Sequence, residues 1–119
     1  MLACGAVAEA LDYPDFSVVA TYKRLVIGCA FMTPGAYISY LLVHPDWQGA
    51  GIATFMLYHL MQTCLGKDIT LHVSATNPAM LLYQRFGFKP EEFMVGFYDK
   101  YMPEDSKECR NAFLLRLRR

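Results

Sequence analysis

The segment Val43-His44-Pro45-Asp46-Trp47-Gln48-Gly49-Ala50-Gly51-Ile52-Ala53 is where residue types and spacing come closest to chemistry. An apolar run enters it and a helical period leaves it, so it reads as a glycine-bearing turn from a strand into a helix. Glycine lets the backbone turn sharply and approach a ligand, and the first amides of a helix are unpaired donors at the positive end of its dipole. A pyrophosphate suits such a place. Two glycines alone are a weak signal, because a tight turn with no ligand uses the same residues. A dinucleotide fingerprint would need a third glycine and an acid at the end of the next strand, and that strand ends at Ser74-Ala75-Thr76. A Walker loop would need Gly-Lys-Ser or Gly-Lys-Thr, which does not follow.

Positioning this turn requires a scaffold of strands and helices. Small residues in MLACGAVAEALDY suggest a short helix that stops near Pro14, since proline drives its predecessor out of the helical region. Runs Phe16 to Tyr22 and Leu25 to Met32 flank Lys23-Arg24 and read as a hairpin, with Thr33-Pro34-Gly35 as the following turn. A third strand, Tyr37 to Val43, is nearly all apolar, which predicts burial on both faces. From Gly51 the period is helical, placing Ile52, Phe55, Met56, His59, Leu60 and Thr63 on one side and Gly66 at the C-cap. Then come a strand Ile69 to Val73, a helix Pro78 to Phe86 closed by Gly87, and strands Phe93 to Tyr98 and Ala112 to Leu117. The order β-β-β-α-β-α-β-β predicts an α/β (α+β) fold with a mixed sheet: a parallel pair across the central crossover and antiparallel neighbours from the hairpins.

With 119 residues, 55% of them hydrophobic and 18% charged, the chain has the size and apolar content of one folded domain, residues 1–119. No apolar run approaches the roughly 20 residues of a membrane span, and the start lacks the basic flank of a secretory signal, so a soluble intracellular protein with no membrane partner is expected. Eleven basic and eleven acidic residues cancel, which argues against direct nucleic-acid binding through many phosphates. Charges do crowd the C-terminal end, as Glu104, Asp105 and Glu108 before Arg110, Arg116, Arg118 and Arg119, and read as a solvated strand end. Cys4, Cys29, Cys64 and Cys109 lie far apart with neither a C-x-x-C redox pair nor Cys/His metal-ligand spacing, so reduced buried thiols and no metal site are expected.

Two ordered motifs carry a family resemblance. Gln48-Gly49-Ala50-Gly51-Ile52-Ala53 is similar to the Gln/Arg-x-x-Gly-x-Gly/Ala acetyl-CoA signature of the GNAT acetyltransferases. Ala79-Met80-Leu81-Leu82-Tyr83-Gln84-Arg85-Phe86-Gly87-Phe88 resembles that family's second signature, Ala-x-x-Leu-Tyr-x-x-x-Gly-Phe. The element order is also GNAT-like, without the family's first strand and much of its first helical hairpin, so the chain looks like the C-terminal part of a longer protein. A narrower similarity runs through Tyr37 to Pro45, Gly51 to Met56, Asn77 to Tyr83 and Phe113 to Arg119. It is to a GNAT subunit of a metazoan chromatin coactivator complex, and implies a nuclear subunit that acetylates histone tails. Around Thr33-Pro34-Gly35 the chain departs from that pattern, which has a longer loop with an acidic residue before Ala36.

The resemblance implies acetyl-CoA as cosubstrate, touching Leu42, Val43, Gln48, Gly49, Ala50, Gly51, Ile52 and Ala53, with Asn77 or Thr76 on its arm. It implies that Tyr83 is the general acid for the departing thiolate. Many histone-acetylating relatives take the amine proton with a strand glutamate, and none lies between Thr33 and Val43. His72 and Tyr37 sit at spacings like those of a His and a Tyr that serve certain N-terminal acetyltransferases of the superfamily, and are the candidates for proton removal. Ordinary strand residues would look the same. His44 and His59 read as structural. An acetyl-CoA-binding assembly module with little turnover is the alternative function. Valine in place of Gly51 is expected to fill the ligand's approach path and leave the fold intact.

Overall fold

The structure, a computed structural model, describes residues 16–119, so the expected opening helix and Cys4 fall outside it. Among the described residues, six strands and two α-helices follow the expected order and give a mixed α/β chain. It divides into two compact units between Lys67 and Asp68.

In the first unit, β1 (Ser17–Tyr22), β2 (Leu25–Met32) and β3 (Tyr37–Val43) form an antiparallel meander, with Tyr22 opposite Leu25 and Gly28 opposite Val43. Lys23 adopts φ 47° in the two-residue β1–β2 turn, and Ala36 φ 64° in the β2–β3 turn, where Ala36 N–H donates to the Thr33 carbonyl. Helix α1 (Ile52–Thr63) lies across the meander, against β1, β2 and β3. Successive same-face residues Gly28, Ala30 and Met32 grow in size along the strand. A Cβ on Gly28 would stand 3.0 Å from the Met56 Cε and 3.1 Å from the Ile52 Cγ2, while Met32 meets the Cys64 thiol at 3.9 Å. The missing side chain at Gly28 thus admits the first turn of α1 close to the sheet.

Three expectations change here. The apolar character of β3 does not mean two buried faces: Ile38 is buried, but Leu42 at the far end is 45% exposed. The buried face of α1 is Met56, Leu57 and Leu60, continued by Cys64, whereas Phe55, His59 and Thr63 face outward. A helix of mostly apolar residues satisfies several stripes at once, and the period of 3.6 could not choose between them. Its C-cap is Cys64, with Gly66 two residues on at φ 80°.

The second unit is built on β4 (Ile69–Ser74), β5 (Lys89–Met94) and β6 (Ala112–Leu117), all antiparallel with β6 central. Along β4, Ile69, Leu71 and Val73 are buried and Thr70, His72 and Ser74 half-buried, the alternation of a strand with one core face. The strand expected over Phe93 to Tyr98 instead spans Lys89–Met94, and residues 95–98 form a turn. Pro90 and two glutamates made the true strand hard to see, yet proline is tolerated on an edge strand, beside a register irregularity at Pro90/Glu92. Helix α2 (Met80–Phe86) starts two residues later than expected. The C-terminal charges are partly paired: Arg116 with Asp68 and Glu91, Arg118 with Glu91, and Arg110 with Asp99. Of the three described cysteines, none of them in a disulfide, only Cys64 is buried.

Replacing Gly28 with valine should cost about 1–3 kcal/mol by overpacking against Ile52 and Met56. Urea unfolding reports it, and an unchanged midpoint would refute this account of how α1 is seated.

Candidate functional site

The glycine-bearing turn belongs to the first unit. Residues Pro45–Trp47 make a 3-10 turn capped by His44, whose Nδ1 accepts from the Asp46 amide at 3.1 Å, so His44 is structural as expected. His44 N–H donates to the Ile27 carbonyl at 2.8 Å, and the Trp47 ring rests against Tyr22 with centroids 4.9 Å apart. The stretch that follows is thereby fixed at its start. Gln48 is extended, Ala50 N–H reaches back to the Trp47 carbonyl, and Gly49 and Gly51 adopt φ 84° and 82°.

Gly51 is the N-cap of α1, and the first intrahelical bond runs from Phe55 N–H to its carbonyl at 3.1 Å. The amides of Ile52, Ala53 and Thr54 precede that bond, so the helix itself gives them no acceptor. No side chain caps this end and no acidic residue stands in the first turn. A Cβ built on Gly49 or Gly51 meets nothing within 4 Å. Donors at a positive dipole end, open approach and exposed backbone from Gln48 to Gly51 fit an anion held by amides rather than by cationic side chains. The expected cofactor residues Gln48, Gly49, Ala50, Gly51, Ile52 and Ala53 form this turn; Leu42 and Val43 end the strand leading to it. Tyr37 opens that strand, half-buried, its N–H donating to Thr33 Oγ1 at 3.3 Å.

The second unit holds Tyr83 and His72. Helix α2 is started by Asn77, whose Oδ1 accepts from the Ala79 amide at 2.9 Å while its carbonyl accepts from Met80 N–H. Its side-chain oxygen thus already takes part in a turn, while its amide nitrogen keeps both of its donors. Thr76 is exposed, its Oγ1 3.4 Å from Ser74 Oγ.

At its other end α2 closes with Gly87 at φ 102°, Gly87 N–H donating to the Gln84 carbonyl and Phe88 N–H to the Tyr83 carbonyl, both at 3.0 Å. This is a Schellman cap, and its usual apolar contact is present as Phe88 against the Tyr83 ring, edge to face at 5.7 Å. The Leu-Tyr-x-x-x-Gly-Phe motif thus has a local physical reason: glycine ends the helix and phenylalanine pins the tyrosine. Tyr83 is 6% exposed, and burial, helped by the nearby Tyr98 phenol, pushes its pKa up to about 12.

His72 stacks on Phe97 with ring centroids 4.1 Å apart, and its Nε2 lies 3.1 Å from the Met94 sulfur. Partial burial pulls the His72 pKa below 6.5, against the opposing pull of Glu92. Phe97 and Tyr98 were hidden from sequence reasoning inside the misplaced strand. Gly96 was the available signal: it adopts φ 70°, and a Cβ there would fall 2.5 Å from Asp99 Oδ2.

Residues 14–90 match the family description Acetyltransferase (GNAT) domain, and the chain belongs to the GNAT acetyltransferase family. Over 117 residues it is 65% identical to cysteine-rich protein 2-binding protein of mouse and of human, covering 94% of this chain and 15% of each relative. Among solved structures, Arabidopsis thaliana Naa50 in complex with the bisubstrate analogue CoA-Ac-MVNAL has a TM-score of 0.81 at 23% identity, covering 98% of this chain and 81% of that one. A GNAT acetyltransferase from Elizabethkingia anophelis with acetyl-CoA bound has a TM-score of 0.76 at 20% identity, covering 98% and 86%. These structural likenesses show a shared fold.

The left-handed backbone at Gly51 corrects the expectation that valine there leaves the fold intact, because a β-branched residue at φ 82° is strained whatever space surrounds it. Gly51→Val should lose stability by upwards of about 1–2 kcal/mol, and Gly51→Asn, which tolerates this region, by less. Both should weaken acetyl-CoA binding, measured by calorimetry beside thermal unfolding. Full affinity in a folded Gly51→Asn protein would remove the turn from the site.

Proposed function

We propose that this chain transfers acetyl from acetyl-CoA to a protein amine, a histone lysine being the acceptor we favour, by direct attack while both substrates are bound. The observation that carries the proposal is the open glycine turn at the start of α1, whose free amides and vacant Cβ positions suit a pyrophosphate. Acetyl-CoA supplies a thioester, an acyl group already activated toward amines. Gln48 to Ala53 hold its pyrophosphate, Leu42 and Val43 offer the end of β3, and Thr76 or the Asn77 amide nitrogen meets its arm.

Tyr83 stays protonated throughout the working pH range, so its hydroxyl donates to the sulfur as negative charge develops there. Against an ordinary thiol near pKa ~8.5, complete transfer from a phenol near 12 would be uphill by about 5 kcal/mol. Desolvation of a sulfur bound beside it raises the thiol as well and narrows that gap. A protonated ammonium has no lone pair, so the acceptor must lose a proton; in this reading His72 takes it.

The relatives' name describes a protein that binds another protein, and the chain spans 15% of their length. We extend this to a nuclear subunit of a chromatin coactivator assembly. An acetyl-CoA-binding module with little turnover is the second reading, favoured by the lack of a strand glutamate between Thr33 and Val43.

Turnover of acetyl-CoA with histone peptides, a peptide bearing a free protein N-terminus and a polyamine, assayed side by side, separates these readings. The histone peptides are expected to be used best; preference for either other acceptor would reassign the substrate, and no turnover with any would favour the module. Tyr83→Phe should lower the rate roughly tenfold to a thousandfold with cofactor affinity little changed. Because the His72 pKa is lowered, its neutral form dominates from below pH 6.5 upward, so the rate should rise with a midpoint under 6.5 and then level off. His72→Gln should lose that limb; a profile overlaying the parent's would leave proton removal to another group.

A further inference from the structure

Beside His72 the second unit carries an open recess of about 310 Å³ lined by Ser74, Thr76, Tyr98, Met102, Glu108 and Cys109. It is tied to the proposed base by two routes. Ser74 is two residues beyond His72 on β4 and shares its face, about 7 Å along the strand. Through the rings, His72 stacks on Phe97, and Phe97 meets the edge of Tyr98, a wall of the recess, at 4.9 Å. Tyr98 in turn lies close enough to Tyr83 to raise its pKa.

The outer wall is a segment folded on itself. Gly96 N–H donates to Asn111 Oδ1, Tyr98 N–H to the Arg110 carbonyl, and Arg110 reaches both Asp99 and the Pro103 carbonyl. Ser106 N–H then donates to the Pro103 carbonyl and Glu108 N–H to Ser106 Oγ at 3.3 Å, which sets Glu108 at the rim. Arg110, the nearest cation in sequence on the C-terminal side, is committed to Asp99 at 3.4 Å. Among the described residues no cation pairs with the Glu108 carboxylate. The Met102 thioether adds apolar surface beside that charge.

Resting on the acetyl-transfer reading, we propose that this recess receives the peptide residue flanking the acetylated amine, and that Glu108 selects a cationic one. A lysine or arginine side chain has the matching anatomy: a methylene stem to lie along Met102 and a charged head to meet the carboxylate. An acidic residue there would face the Glu108 carboxylate, with the exposed Lys107 as the adjacent cation in sequence.

The test uses three peptides with one acceptor amine and arginine, alanine or glutamate beside it, for the parent, Glu108→Gln and Glu108→Lys. Parent kcat/KM should favour arginine over glutamate by about fivefold, the upper range for one exposed charge pair. Glu108→Gln should bring the ratio near one and Glu108→Lys should reverse it, with acetyl-CoA affinity and Tm unchanged in both. Equal rates for the three peptides in the parent, or a preference surviving in Glu108→Gln, would overturn the selectivity while leaving acetyl transfer intact. The same peptides with the amine already acetylated, titrated calorimetrically in the presence of CoA, give a readout without chemistry. Charge-selective binding that Glu108→Gln abolishes, with no turnover of any peptide, would uphold the recess and refute the transfer reading; loss of both selectivities would overturn the recess.

Discussion

An α-helix cannot supply acceptors for its own first amides, and at the start of α1 the chain adds none: no side chain caps the end and no acidic residue faces its dipole. Most helices meet this cost with a serine, threonine or aspartate at the N-cap. Here the N-cap is Gly51 in a left-handed conformation, preceded two residues earlier by a second left-handed glycine, Gly49, with equally open space around it. Much of the first unit serves to hold that end of the helix in place. Gly28 lets it approach β2, the Met56, Leu57 and Leu60 face anchors it, and Trp47 on Tyr22 fixes the chain ahead of the turn.

In the second unit a helix end again sets the position of a chemical group, this time through its C-terminus. The Schellman cap at Gly87 holds Phe88 against Tyr83 and so fixes the tyrosine ring. Burial gives that phenol a high pKa and His72 a low one. Desolvation disfavours the charged form of each, so near neutrality one remains a donor and the other a lone-pair acceptor. One physical cause thus acts in opposite directions on groups of opposite charge type.

The sequence made the strand–turn–helix segment legible because glycine, alternation and helical period change abruptly within a few residues around Gly49 and Gly51. It also made β4 legible, since Ile69, Leu71 and Val73 alternate cleanly with less buried residues. Where apolar residues were too plentiful, the pattern lost resolving power: the all-apolar β3 concealed an exposed end at Leu42, and α1 offered several equally apolar stripes. Edge strand β5 failed for the opposite reason, as Lys89-Pro90-Glu91-Glu92 lacks strand character and its pairing comes from β6. That error carried Phe97 and Tyr98 into a strand and hid the stacking partner of His72.

The central claim is that the backbone amides at the start of α1 bind the pyrophosphate of acetyl-CoA. Amide-resolved NMR titration of the ¹⁵N-labelled protein tests it most directly, with acetyl-CoA, ADP and pantetheine as ligands. The account predicts saturable shifts of the Gly49, Gly51, Ile52 and Ala53 amides with acetyl-CoA and with ADP, and little movement of them with pantetheine, which has no pyrophosphate. If acetyl-CoA bound with those amides unmoved and the shifts lay elsewhere, the anion site would be in the wrong place.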